Sequence, residues 1–85
     1  MSSLAHDGVV YRRAETITKD DATNIPGGRT DAIHVGGAGN VVVVFPNDST
    51  CTFTCAAGDI LPVAAKRVNS TNTTATLMSA LYATG

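Results

Sequence analysis

The stretch Val35-Gly-Gly-Ala-Gly-Asn-Val-Val-Val-Val-Phe-Pro-Asn-Asp-Ser49 decides how this chain is read. Four consecutive valines, Val41 to Val44, run into Phe45, with a glycine-rich segment before them and Pro46-Asn47-Asp48 after. β-Branched and aromatic residues favour extended backbone, and turn residues on both flanks hold the run to strand length. The run does not alternate. A strand with one wet face would read apolar-polar-apolar, so this one predicts cover on both faces. In so short a chain, the second cover is expected from a neighbouring subunit.

Working outward, the remaining segments also read as short strands. Ala32 to Val35 precedes the valines, and Gly36 to Asn40 reads as a hairpin turn between the two. Thr50 to Cys55 alternates strictly, with Thr50, Thr52 and Thr54 on one face and Cys51, Phe53 and Cys55 on the other. Ala57-Gly58-Asp59 turns the chain into a strand over Ile60 to Val68, where Pro62 implies an edge or a bulge. Asn69 to Asn72 is a turn, and Thr73 to Tyr82 is the last strand. A helix over Thr74 to Ala83 is the competing reading there, since Leu77, Met78 and Leu81 would share a helical face. Short strands at this spacing, joined by tight turns, indicate an all-β fold. The expected form is a small antiparallel sandwich or barrel, jelly-roll-like, over residues 15–85. Residues 1–14 form an extended arm with a short strand at Val9 to Tyr11. Thr16 to Thr18 is a further brief strand.

The chain has 85 residues, no tryptophan and four aromatics, Tyr11, Phe45, Phe53 and Tyr82. A domain of this size with a core of small residues is marginal alone, and disulfides, metals or association are the usual remedies. Cys51 and Cys55 are the only cysteines. In a strand, four residues of ~3.3 Å rise put their Cα atoms about 13 Å apart, against the ~7 Å a disulfide tolerates. They read as small buried apolar residues, with disulfides to a neighbouring subunit as the alternative. No second Cys or His pair stands at zinc spacing, and Asp20, Asp21 and Asp31 match no calcium loop.

Other functions also lack a signal. The net charge is −1 and only 15% of residues are charged, so nothing points to nucleic acid. No apolar run approaches a membrane span, and the first residues lack the order of a signal peptide. A cytoplasmic origin is expected. Gly36-Gly37-Ala38-Gly39 leads into a strand rather than a helix, which removes a phosphate loop. Neither His6 nor His34 stands in a nucleophile motif. The chain reads as a building block without cofactor or catalysis. The candidate contact residues are Val9, Tyr11, Arg12, Arg13 and Arg29 together with Val41, Val42, Val43 and Val44. Lys66-Arg67 is a second basic group that would suit acidic groups on a partner.

From Ile17 onward the pattern also matches a family. The matching residues are Ile17-Thr18-x-x-Asp21, then Pro26-x-x-Arg29-x-x-Ala32-Ile33-x-Val35-Gly36, then Gly39-Asn40-Val41-x-Val43-Val44. They continue as Thr52-Phe53, Ala57-Gly58-x-Ile60-Leu61-Pro62-Val63, Lys66-Arg67-Val68 and Thr73-Thr74-Ala75-Thr76, and close at Ala80-Leu81-Tyr82. This resembles the spike-base proteins on the heads of gene transfer agents and related tailed phages. The resemblance implies a non-enzymatic virion protein on the capsid surface, a decoration, cement or spike-base subunit. Its implied partners are its own copies, as a homotrimer or homopentamer, the major capsid protein and a head fibre. Cys51 and Cys55 depart from the family pattern. A module that binds host glycan through Tyr11 and Tyr82 is the alternative function.

Overall fold

The computed structural model describes residues 10–83. Every regular element in it is a strand. The strands are β1 (Arg13–Thr16), β2 (Ala32–Gly37), β3 (Gly39–Val44), β4 (Thr50–Cys55), β5 (Asp59–Leu61), β6 (Arg67–Val68) and β7 (Thr76–Tyr82). They form two antiparallel sheets, one ordered β1-β7-β2-β5 and the other β4-β3-β6. Residues of both sheets meet in one core, among them Ile33, Val35, Met78 and Ala80 from the first and Val41, Val43, Cys55 and Val68 from the second. The expected all-β sandwich is the observed one, and β7 decides against a helix at Thr74 to Ala83.

The valine strand sits in the middle of its sheet. β4 pairs along all of one side, from Gly39 opposite Cys55 to Val44 opposite Thr50. On the other side Val43 and Val44 face Val68 and Arg67. There the Val44 carbonyl accepts from the Lys66 N–H (2.9 Å) and the Val42 carbonyl from the Asn69 N–H (3.0 Å). The Val42 N–H donates to the hydroxyl of Thr73 (3.0 Å), itself buried. With its backbone satisfied on both sides, the strand can be buried without leaving polar groups unpaired.

The segment Gly36 to Asn40 is not a hairpin. β2 and β3 belong to different sheets, and only Ala38 separates them. The glycines serve a corner at which backbone meets backbone. A Cβ on Gly39 (φ 151°) would lie 2.6 Å from the Ala75 nitrogen. One on Gly36 would lie 2.9 Å from the carbonyl oxygen of Leu77. The corner is held by the Asn40 carbonyl, which accepts from the N–H groups of Thr74 (2.9 Å) and Ala75 (3.1 Å).

Two further boundaries differ from expectation. The single strand expected over Ile60 to Val68 is split into β5 and β6, which lie in opposite sheets. Pro62 has no N–H for a ladder, and the chain leaves the first sheet there. Arg13 and Ala14, assigned to the arm, belong to β1 and pair with Tyr82 and Leu81 of β7. The short strand expected at Thr16 to Thr18 is therefore an earlier one. Val10 and Tyr11 precede it outside any strand, and Val9 lies outside the described residues.

Residues 17–31 leave the first sheet after β1, pass along the edge of the second and return to the first at β2. Ile17 donates its N–H to Met78 (2.9 Å), Asp20 to Val68 (2.9 Å), Ile25 to Lys66 (2.9 Å) and Thr30 to Ala65 (3.0 Å). The segment thus runs beside β6 and covers that edge. Ile17 and Ile25 anchor it in the core. Fully buried Thr30 locks its end, donating its hydroxyl to the Val63 carbonyl (2.8 Å) and accepting from the Ala65 N–H (3.0 Å). Asp20 accepts from the N–H groups of Ala22 and Thr23, and Asp21 from the N–H and hydroxyl of Thr71. These bonds hold both carboxyls below their ordinary pKa, the Ala22 amide leading for Asp20 and the Thr71 hydroxyl for Asp21.

Candidate interface surfaces

The structure sorts the sequence-nominated residues into two groups. Val41, Val43 and Val44 are at most 2% exposed and Val42 is 9% exposed within the single chain. The second face of this strand is therefore covered by the protein itself, and the neighbour sought for that purpose is not required. Periodicity could not reveal this, because the cover comes from residues distant in sequence. The four valines are structural.

Around Tyr82, Arg12, Arg13 and the segment before Arg29 converge. Tyr82 is buried, and its hydroxyl donates to the Gly28 carbonyl (3.1 Å). The Arg13 guanidinium lies over its ring, 3.9 Å from the centroid, and is ion-paired with Glu15. The Arg12 N–H donates to the Tyr82 carbonyl (2.7 Å), and Ala83 donates its N–H to the Asp31 carboxylate (2.8 Å). Burial pushes the phenol above its ordinary pKa; Glu15 adds to this and Arg13 opposes it. One aromatic side chain thus brings the start of β1, the end of β7 and the segment before Arg29 to the same place. Arg12 and Arg29 are exposed there, and neither is in an ion pair among the described residues. Tyr11 is half-buried beside them in sequence. Tyr82 has no free face for a sugar, which removes one of the two aromatics on which the glycan reading rested.

Lys66 and Arg67 are committed internally. Lys66 is ion-paired with Asp48, whose carboxyl is held below its ordinary pKa first by that hydrogen bond and then by the Lys66 charge. Arg67 donates to the Asn69 and Asn24 side chains (3.1 and 3.4 Å). Their adjacency in sequence gave no sign of these distant partners.

Composition did not single out two other surfaces. Leu77 in β7 is 78% exposed with a φ of 54°, a left-handed conformation that costs a bulky residue roughly 1–2 kcal/mol. Val10 is 72% exposed, and these two are the exposed large hydrophobics among the described residues. The second surface is β4, exposed from Thr50 to Thr52 and at Thr54. Cys51 and Cys55 share its alternation but not their surroundings. Cys51 is exposed and Cys55 is in the core, its thiol pushed up by burial and then by Asp59. Both are free thiols. The pairing of both cysteines as small buried residues therefore holds only for Cys55.

Among the described residues no cluster of three or more His, Cys, Asp or Glu could hold a metal ion. No helix among them is long and apolar enough to cross a membrane. The surfaces are those of a small β-sandwich that presents edges and isolated apolar side chains. Known proteins place it further. No protein-family model matches the chain, and no curated protein does. Among solved structures it is similar to a chain described as the capsid of a native GTA (gene transfer agent) particle, computed with C5 symmetry. The two share 36% identity with a TM-score of 0.78, over 85% of this chain and 83% of that one. The protein belongs to the same family as that gene transfer agent capsid chain.

Proposed function

We propose that the protein is a structural subunit on the outside of a tailed-phage or gene transfer agent head. Its role there is that of a decoration, cement or spike-base protein. The observation that carries this is the 36% identity to a capsid-particle chain over most of both chains. In this reading several copies, three or five, form a ring on the capsid and rest on the major capsid protein. A head fibre is a candidate second partner. The protein is assembled in the host cytoplasm and remains on the virion.

The arm root is the proposed head contact. Val9, Val10, Tyr11 and Arg12 lead to a sheet edge anchored by Arg13, and Arg29 stands on the neighbouring segment. A segment that leads from this edge and carries apolar and cationic side chains can follow a seam between capsid subunits. The test mixes the purified protein with heads that lack it and sediments them. Co-sedimentation at a saturating, fixed ratio to the major capsid protein is expected. Removal of residues 1–11, which leaves β1 intact, should abolish it while the protein stays folded. Full-length protein that remains in the supernatant would refute the proposal. Undiminished decoration by the shortened protein would refute the role of the arm.

A further inference from the structure

The four sheet edges are not equally protected. An edge strand offers a row of backbone donors and acceptors to any other strand, and proteins normally block it with charge, proline, brevity or a cover. β5 has three residues and Pro62 follows it. β6 has two residues, and residues 17–31 hydrogen-bond beside it. β4 has six, Thr-Cys-Thr-Phe-Thr-Cys, with no charge, proline or glycine. Among the described residues it pairs with β3 alone.

Its open side can be assigned residue by residue. The Val42 and Val44 carbonyls face Asn69 and Lys66, away from β4, and the Phe45 N–H donates to the Ser49 carbonyl (2.8 Å), so Val41 and Val43 are the β3 residues that bond to β4. Hydrogen-bonded pairs recur at every second position, so Val43 with Cys51 and Val41 with Phe53 follow in register. The backbone groups of Thr50, Thr52 and Thr54 therefore point away from β3. Among the described residues β1 is the other edge of four residues or more. In it the Ile17 N–H bonded to Met78 sets the same alternation, so Ala14 and Thr16 point away from β7.

We infer that copies of this protein join by strand addition, the open edge of β4 in one copy pairing with the open edge of β1 in the next. The inference rests on the proposed reading as a ring. Pairing β4 with β4 would be self-complementary and would stop at two copies, whereas a ring needs two different edges on each copy. Among the described residues β4 and β1, the latter with Arg13 and Glu15 in it, are the two edges of four residues or more that no further strand pairs. Main-chain bonds would supply the affinity and the flanking side chains the register.

Native mass measurement on the full chain tests this with Thr52→Pro and Ala14→Pro. Each removes only an N–H that points out of its sheet, a place where edge strands accept proline. Wild-type protein should be a ring at micromolar concentration. Each variant should be a monomer with an unchanged circular dichroism spectrum. An equimolar mixture of the two should yield a dimer and nothing larger, because one intact β4 and one intact β1 remain. A folded variant that keeps the wild-type oligomer overturns the inference. So does an Ala14→Pro protein that still assembles while Thr52→Pro does not, which would mean β4 pairs with itself. A monomeric wild type also overturns it, and head binding by that monomer would leave the proposed function standing. Should either proline variant unfold, amide exchange on the wild-type oligomer decides. Thr52 and Thr54 are expected to exchange at least about tenfold more slowly than in the monomer released by Thr52→Lys. Equal rates overturn the inference.

Discussion

β3 and β4 are hydrogen-bonded neighbours along six paired positions, yet they live in different solvents. All four valines of β3 are buried, whereas of β4 only Cys55 is buried and Phe53 is half-buried. The difference is one of placement. β3 has a strand on one side and residues 66–73 on the other, and the single chain encloses both its faces. Among the described residues β4 has one strand neighbour, β3. Being next to a core strand confers no burial on an edge, so the polar face of β4 is what the position tolerates.

Breaking this contrast gives the largest effect. Val43→Asp places a carboxylate at a fully buried site without a partner. A cost of several kcal/mol is expected, enough to unfold so small a domain, and thermal melting should show no cooperative transition. Thr73→Ala removes the hydroxyl that satisfies the Val42 N–H, leaving a buried donor unpaired. Urea titration should show a loss of about 1–3 kcal/mol. Leu77→Asn tests the opposite sign. Asparagine accepts a left-handed backbone more readily, and about 1 kcal/mol of gain is expected, read as a rise of roughly 4–8 °C in Tm. At a dilution where both proteins are monomers, Thr52→Asp, opposite Val42 on the exposed strand, should stay within about 0.5 kcal/mol of wild type.

Acid sharpens a second contrast, between the covered edge at β6 and the open edge at β4. Asp20 and Asp21 sit in the segment that covers β6, and both have folded pKa values below the ordinary 3.8. Groups depressed by folding contribute stability above their unfolded pKa, and that contribution is lost as pH falls through the folded value. Protection of the amides of residues 17–31, relative to their intrinsic exchange at each pH, should fall below pH 3.8 before that of β3 does. Simultaneous loss of protection in both regions would mean that these carboxylates do not hold the segment.

The fold class was legible because it rests on local signals. β-Branched runs, strict alternation at Thr50 to Cys55 and turn residues between them give strands without a helix. The sheet assignment was not legible. Gly36 to Asn40 has the composition of a hairpin turn, and whether glycine serves a tight turn or a close backbone approach depends on what lies opposite. Here that is Leu77 and Ala75, far along the chain. Pro62 marked a disturbance without showing that the chain changes sheets. At the candidate surfaces, Arg12, Arg13 and Arg29 stood out as charges. Their convergence on Tyr82 depends on the β1–β7 pairing, and the exposure of Leu77 depends on a backbone angle that composition does not encode.

That β1–β7 pairing has a consequence for how the protein is made. Thr16 meets Ser79 and Arg13 meets Tyr82, so a strand synthesised early waits for one synthesised late. β7 is also the strand that joins β1 to β2. Until β7 leaves the ribosome, β1 has no partner strand, and β2 and β5 are a fragment without it. β3 and β4, by contrast, are joined by a tight turn and can zip as they emerge. Translation therefore delivers the open-edged β4 before the sandwich can close behind it. A growing chain on a crowded polysome thus presents the unpaired side of β4 while it is still unfinished.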